Sequence, residues 1–203
     1  MYKETIGIIG GFATIDFFQR LLTAFNTGCE RDIPHILMDN DFTMPSRTRA
    51  LLYGTDYSVI VEAIARSMNL LIGGGADYII LPCGTSHAFL KDVFVLCPEG
   101  RNKVLSILDA LGADMRMKGV KSASVIAAEG TLKQHVFSKA LAAYGIDLHE
   151  PGGSDYGAIR TFIEAVKQQK LNDETAFDFV RFLKRQPDKV LSWVVRNSRF
   201  SCG

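Results

Sequence analysis

Apolar positions along the chain follow two patterns. Continuous apolar runs that end in glycine or polar residues are typical of strands buried on both faces of a parallel sheet. Such runs lie at 5–11, 35–40, 79–82, 122–128 and 190–195, with a shorter one at 146–149. Between them, apolar residues recur at helical spacing and predict amphipathic helices over 12–26, 58–71, 133–144, 156–170 and 173–184. At 104–108 the pattern fits either a strand that enters a helix or a helix throughout.

Strands and helices therefore alternate in two rounds, first β-α-β-α-β-α and then β-α-β-α-α-β. This order predicts an α/β fold made of two similar, pseudo-symmetric, Rossmann-like lobes with parallel sheets. We expect the first lobe at 1–100 and the second at 101–203, with the junction inside 98–121. A cleft between two such lobes is a natural place for a small ligand.

Composition excludes several classes of partner. The formal net charge of +1 leaves no basic excess to neutralise phosphates, so binding to nucleic acid or to an anionic membrane is not expected. The apolar stretch from Ile6 to Ile15 is interrupted by glycines, is too short to span a bilayer and lacks the layout of a signal peptide. Cys29, Cys83, Cys97 and Cys202 form no CxxC pair, which argues against a zinc site and favours free thiols in a reducing cytoplasm.

Glycines and acidic residues suggest cofactor sites that their spacing does not support. After Gly7, glycines recur at 10 and 11 only, so the dinucleotide fingerprint is absent. The acidic run at 39–41 lacks the spacing of a calcium loop and is interpreted as turn residues. We find no phosphate-binding loop and no lysine in a recognisable PLP context, and we expect no cofactor and no metal.

Two stretches carry candidate chemistry. Residues 77–87 predict a buried strand that ends at Cys83 and turns into a helix near His87, with Thr85 or Ser86 as its cap. The residues alone leave open whether Cys83 is a nucleophile, a base or an inert core thiol. An alternative is a Cys–His hydrolase, in which His87 would act as the base for Cys83. No acidic residue is evident that would orient this histidine. Arg47 lies in a predicted polar loop at 39–48, where α/β folds bind ligands, and its guanidinium suits a carboxylate.

Four motifs occur in an order that resembles the aspartate/glutamate racemase superfamily, in particular its cofactor-independent aspartate and broad-specificity amino-acid racemases. The first motif is the glycine-ended apolar run at 6–11 together with the start of the helix that follows it, residues 13–18. The second motif is the Asp-Asn pair at 39–40 together with Pro45-Ser46-Arg47-Thr48 in the same predicted loop. Pro82-Cys83-Gly84-Thr85-Ser86-His87 resembles the family's Pro-Cys-Asn-Thr-Ala-His, and Glu129-Gly130-Thr131 also fits. The motifs cover most of the chain, and those around Cys83 and Arg47 are the specific ones.

The resemblance implies a racemase that works without PLP and holds an amino acid between two cysteines, one from each lobe. One thiolate would remove the Cα proton and the other thiol would return it on the opposite face. Cys83 would be one of the two acid/base groups, and a homodimer is expected because the family is commonly dimeric. The resemblance also implies substrate contacts: the α-carboxylate with Gly84, Thr85 and Thr131, a side-chain carboxylate with Arg47 and Lys167, and close backbone approach at Gly10 and Gly11.

Three departures separate this chain from the family pattern. Gly11 runs directly into Phe12 without the usual Met-Gly-Pro, and glycine occupies position 84 where the family usually has asparagine. The second catalytic cysteine normally follows the last strand, but residues 189–196 contain none, and the usual final helix is not expected. Ser192 or Cys202 would have to replace that cysteine. The alternative is a catalytically impaired relative that binds a small amino acid or dicarboxylate.

Overall fold

Parallel strands form the centre of the first of two units, Met1–Ile107. The structure, a computed structural model, describes residues 4–25, 28–186 and 190–192. The strands of the first sheet are β1 (Thr5–Ile9), β2 (His35–Asp39), β3 (Tyr78–Ile80) and β4 (Val104–Leu105). They lie in the order β2-β1-β3-β4 and every pair is parallel. The segments that follow β1, β2 and β3 therefore leave the same edge of the sheet side by side.

Helices cover this sheet and bury its apolar side chains. They are α1 (Phe12–Ala24), α2 (Arg47–Tyr53), α3 (Tyr57–Gly73), α4 (Leu90–Leu96) and α5 (Gly100–Lys103). α3 carries Ile60, Ile64 and Met68, which are fully buried in one cluster with Ile79 and Phe89. This apolar stripe at helical spacing fixes α3 against the sheet.

The second unit, Leu108–Gly203, contains a smaller sheet of the same kind. β5 (Ser122–Ile126) lies between β6 (Asp147–His149) and β7 (Val190–Ser192), and both pairs are parallel. Its helices are α6 (Ile107–Met117), which starts at the boundary, then α7 (Glu129–Lys133), α8 (Val136–Ala142), α9 (Tyr156–Lys167) and α10 (Asp173–Leu183). Stacked rings of Phe162 and Phe179, with centroids 3.7 Å apart, join α9 to α10.

The predicted fold class, α/β with parallel sheets in two lobes, is confirmed. The ambiguous stretch at 104–108 is a strand followed by a helix, and Asn172 caps α10 by accepting a hydrogen bond from the Thr175 N–H at 2.9 Å. The predicted last strand at 190–195 is described only at Val190–Ser192. No helix in the described part of the chain is both long and apolar enough to cross a membrane.

Two local predictions are wrong. The helix expected at 133–144 is shorter, α8 at Val136–Ala142, because His135 adopts a left-handed conformation with φ 53° and separates it from α7, which ends at Lys133. The loop expected at 39–48 ends early, because Ser46 caps a short helix whose first residue is Arg47. Arg47 is therefore fixed on a helix rather than carried by a loop.

Candidate active site

Cys83 follows β3 at the carboxyl edge of the first sheet. The helix predicted to start near His87 instead begins as a 3-10 turn at Gly84–Phe89, and Cys83 itself occupies the N-cap position expected for Thr85 or Ser86. The Ser86 N–H donates to the Cys83 carbonyl at 3.0 Å and closes this turn. His87 Nδ1 lies 3.2 Å from the same carbonyl oxygen. These contacts hold the cysteine backbone, and Cys83 as a residue is half-buried beside the turn.

Polar groups around the sulfur favour the thiolate. Burial raises the pKa of the Cys83 thiol, because a charge is poorly solvated there. The positive charge of Arg47, the Ser86 hydroxyl and the N–H groups of Ser86 and Thr85 lower it, and together they outweigh the burial. The pKa of the thiol therefore lies below its ordinary value. A thiol of this kind is suited to act as a base or a nucleophile.

Arg47 brings its positive charge to this edge from the first turn of α2. Its guanidinium lies against Gly11, where an added Cβ would be 3.3 Å from a guanidinium nitrogen. The guanidinium also contacts the Met44 sulfur at 3.7 Å. Among the described residues, no carboxylate lies within 4.0 Å of it, although several other arginines form such ion pairs. A half-buried arginine without a carboxylate partner is suited to bind an anion.

The two glycines that follow β1 are closely packed at this edge of the sheet. The Gly10 N–H donates to the Asp39 carbonyl at 2.9 Å, and the Gly11 N–H donates to Thr14 Oγ1 at 2.8 Å. Thr14 is 1% exposed. A Cβ at Gly10 would collide with Thr14 Oγ1 and Asn40 Oδ1, so position 10 requires glycine. This packing holds Gly11, which adjoins the Arg47 guanidinium.

The structure thus brings together the predicted residues of the first unit. Gly10 and Gly11 follow β1, Arg47 comes from the segment after β2, and Cys83, Gly84 and Thr85 follow β3. Because β1 lies between β2 and β3, these segments are neighbours at one sheet edge. Gly84 is buried and Thr85 is half-buried in the turn beside the thiol.

Sequence reasoning missed two polar residues of this edge. Ser86 was expected to cap a helix, but its hydroxyl interacts with the thiol. Asn40 was interpreted as a turn residue, but its Oδ1 is buried against Gly10 and has no hydrogen-bond partner among the described residues. The available signal was position: Asn40 directly follows β2, and Ser86 lies in the turn that follows β3, at the edge where α/β folds bind ligands.

The second unit holds the remaining predicted residues. Thr131 is buried in α7, directly after β5, and Glu129 of the same helix pairs with Lys133 at 3.1 Å and with Arg160. Arg160 and Lys133 lower the pKa of Glu129. Lys167, at the end of α9, is half-exposed and pairs with Glu164 at 3.1 Å. Ser192 ends β7, and Cys202 lies outside the described residues.

We expect Arg47→Met to raise the pKa of the Cys83 thiol, because the substitution removes the positive charge and keeps much of the side-chain volume. A lowered pKa increases the thiolate fraction at a given pH, so the pH profile of Cys83 alkylation should move to higher pH in the variant. Mass spectrometry of the tryptic peptide that carries Cys83 measures this rate separately from the other cysteines.

Arg49→Met, an exposed arginine on the same helix, is the matched control and should leave the profile unchanged. Equal profiles for wild type and Arg47→Met would contradict the electrostatic role of Arg47.

Comparison with known proteins agrees with this architecture. Aspartate racemase from Picrophilus torridus has 22% sequence identity and a TM-score of 0.73, over 89% of this chain and 73% of that one. A putative Asp/Glu racemase from Yersinia pestis has 17% identity and a TM-score of 0.75, over 96% and 89% of the two chains. Glutamate racemase from Francisella tularensis, solved in complex with D-glutamate, has 15% identity and a TM-score of 0.66, over 94% and 68%.

At these identities the structural matches establish the fold. The sequence itself matches one family model from residue 6 to residue 191, which includes both sheets and the edge that carries Cys83. Because that match covers nearly the whole chain, the protein belongs to the Asp/Glu/hydantoin racemase family.

Proposed function

We propose that this protein is a PLP-independent amino-acid racemase of the aspartate/glutamate type, with Cys83 as one acid/base group. The observation that carries the proposal is the half-buried thiol, whose pKa is lowered by an arginine that has no carboxylate partner among the described residues. A base and an anion-binding group at one sheet edge are what abstraction of a proton next to a carboxylate requires.

In the proposed reaction, the Cys83 thiolate takes the Cα proton and becomes a thiol. The electron pair of the broken C–H bond is delocalised into the α-carboxylate, whose added charge is stabilised by backbone N–H groups at Gly84 and Thr85. A second acid then protonates Cα from the opposite face, which inverts the centre. Return of the proton by Cys83 would restore the starting enantiomer.

The second acid is the open part of this proposal. Ser192 and Cys202 are the candidates, and an unactivated serine hydroxyl is the weaker acid/base of the two. Thr131 and Lys167 are the proposed substrate contacts from the second unit. Because Lys167 is ion paired with Glu164, support for an acidic substrate comes from Arg47 more than from Lys167.

A second candidate function is that of a racemase-like protein that binds an amino acid or dicarboxylate without turning it over. The observation that favours it is the sequence at 189–196, which has no cysteine where the family pattern places the second one. Such a protein would retain the anion site at Arg47 and would lack a donor on the far face of Cα.

Amino acids incubated with the protein in deuterium oxide distinguish these functions. An active racemase replaces the Cα hydrogen by deuterium, seen by proton NMR, and the optical rotation falls to zero without added PLP. Deuterium exchange at Cα without loss of optical rotation would mean that Cys83 removes and returns the proton without a second acid. Neither exchange nor loss of rotation, across both enantiomers of a broad panel, would overturn the racemase proposal and leave the binding function.

The proposed homodimer is tested separately by light scattering on the purified protein. A mass near twice that of the chain is expected, and a monomer at the concentrations used for catalysis would contradict it.

A further inference from the structure

The head group of Arg47 is held by a sulfur atom. In the part of the chain that the structure describes, its one hydrogen-bond acceptor is Met44 Sδ, to which Nη1 donates at 3.7 Å. A thioether sulfur is a weak acceptor and carries no charge. The contact therefore orients the guanidinium without neutralising it, and no carboxylate of the described residues lies within 4.0 Å to do so.

Met44 is itself anchored to the core of the first unit. It is half-buried and packs against the apolar cluster that contains Ala50 and Phe89. Ala50 is 2% exposed and lies on α2, three residues after Arg47. One cluster thus fixes both the helix that carries Arg47 and the sulfur that contacts its head group. Because a core of this kind is closely packed, Met44 has little room to move away from the guanidinium.

The other terminal nitrogen of the guanidinium lies against Gly11. An added Cβ at Gly11 would be 3.3 Å from Nη2, which is closer than ordinary van der Waals contact. Gly11 is fixed in turn, because its N–H donates to Thr14 Oγ1 at 2.8 Å and Thr14 is 1% exposed. Each terminal nitrogen of Arg47 therefore has one anchored neighbour, and neither of these contacts places an oxygen acceptor on the guanidinium.

This environment suits an arginine that has to receive a carboxylate from a ligand. A long side chain loses rotamer freedom when it binds, and support that exists before binding reduces that loss. An oxygen acceptor in the protein would also hold the guanidinium, but it would compete with the ligand for the same N–H groups. A thioether packed on the core supports the guanidinium and competes only weakly.

We propose that Met44 is a positioning residue, which holds the Arg47 guanidinium ready for the side-chain carboxylate of an acidic substrate. The inference rests on the proposed racemase function, in which Arg47 contacts that carboxylate. Met44 acts through Arg47, and no contact of its own with the reacting atoms is required. It lies outside the motif at 45–48 that carries the family resemblance, and the sequence predicted no role for it.

Substitutions of Met44 test the proposal through the kinetics of Cα deuterium exchange with aspartate. Met44→Ala removes the support, and we expect KM to rise by about ten-fold, because a substrate contact misplaced by about 1 Å is costly. kcat should change by less than about two-fold, as expected when binding of the ground state and the transition state is lost equally. Met44→Leu conserves volume and should keep KM within about two-fold of wild type.

Met44→Gln tests the competition between acceptors. Glutamine has nearly the length of methionine and places an amide oxygen where it can accept from the guanidinium. It should raise KM for aspartate as Met44→Ala does, although the side chain is not shortened. Met117→Ala, at a methionine of α6 that is 82% exposed, is the matched control and should change neither KM nor kcat.

Two kinetic results would overturn the positioning role. One is a KM for aspartate that Met44→Ala leaves unchanged. The other is a fall in kcat as large as the rise in KM, with no rescue by Met44→Leu, which would show that Met44 matters only for the stability of the fold.

A binding measurement separates failure of this inference from failure of the proposed function. Isothermal titration of Cys83→Ser with aspartate and with succinate needs no turnover. Weaker binding after Met44→Ala is added, and restored binding with Met44→Leu, would support the positioning role even if wild type proves inactive. Equal affinities with and without Met44→Ala, or no binding of either dicarboxylate, would overturn it whether or not the enzyme racemises.

Discussion

Cys83→Ser is expected to lower the rate of Cα hydrogen exchange by at least about 10²- to 10⁴-fold, the usual contribution of a positioned acid/base group. Serine keeps the size of the side chain, but its hydroxyl does not ionise near neutral pH, even beside Arg47. The variant should fold normally, because the turn is closed by backbone groups of residues 83 and 86 that the substitution leaves intact. Proton NMR in deuterium oxide measures the exchange, and circular dichroism verifies the fold.

Cys29→Ser is the matched control, because Cys29 is an exposed free thiol outside the edge that carries Cys83. Its exchange rate should equal that of wild type. A Cys83→Ser variant that retains most of the wild-type rate would show that another group removes the proton, and the role proposed for Cys83 would have to be abandoned.

Gly10→Ala is expected to destabilise the protein by about 1–3 kcal/mol or more, the range found when a well-packed site is overfilled. The new methyl group would collide with Thr14 and Asn40, and Thr14 is buried and hydrogen bonded to Gly11, so it cannot simply turn away. Urea unfolding followed by circular dichroism gives the free energy of unfolding. Because Gly11 adjoins Arg47, the variant should also show slower alkylation of Cys83.

Gly157→Ala is the matched control and is expected to change the free energy of unfolding in the opposite direction. Gly157 is exposed in α9, and a Cβ there meets no atom within 4 Å. Alanine should therefore stabilise the helix by up to about 1 kcal/mol. If Gly10→Ala is as stable as Gly157→Ala, the packing described at the end of β1 is wrong.

Strand positions could be predicted from the sequence because strands buried on both faces appear as continuous apolar runs. The order of strands and helices then placed Cys83 and the glycines at one sheet edge. The short helix α2 was missed because Ala50 is its buried residue and such a short segment shows no clear helical period. Its start was still marked in the sequence by Pro45 and by the cap Ser46.

Contacts between distant segments could not be predicted. The break between α7 and α8 falls at His135, where no glycine or proline marks a left-handed residue. The contact of Phe12 with Phe42 joins the first turn of α1 to the segment after β2, and apolar spacing within one helix carries no information about it. The Ser86 hydroxyl likewise interacts with the thiol because residues 84–89 form a 3-10 turn. The sequence pattern predicted an α-helix cap at this position and gave no indication of that turn.

The position of β1 between β2 and β3 has a consequence for how the protein folds. Arg47 and Cys83 belong to segments on either side of β1, so they meet only after two crossover connections have closed. Parallel pairing of this kind forms late and slowly, because loop closure precedes the contacts that reward it. During refolding, the effect of Arg47 on the pKa of the Cys83 thiol should therefore appear only when β1 has paired with both β2 and β3. A comparison of Cys83 alkylation in wild type and Arg47→Met at successive refolding times would show when this pairing forms.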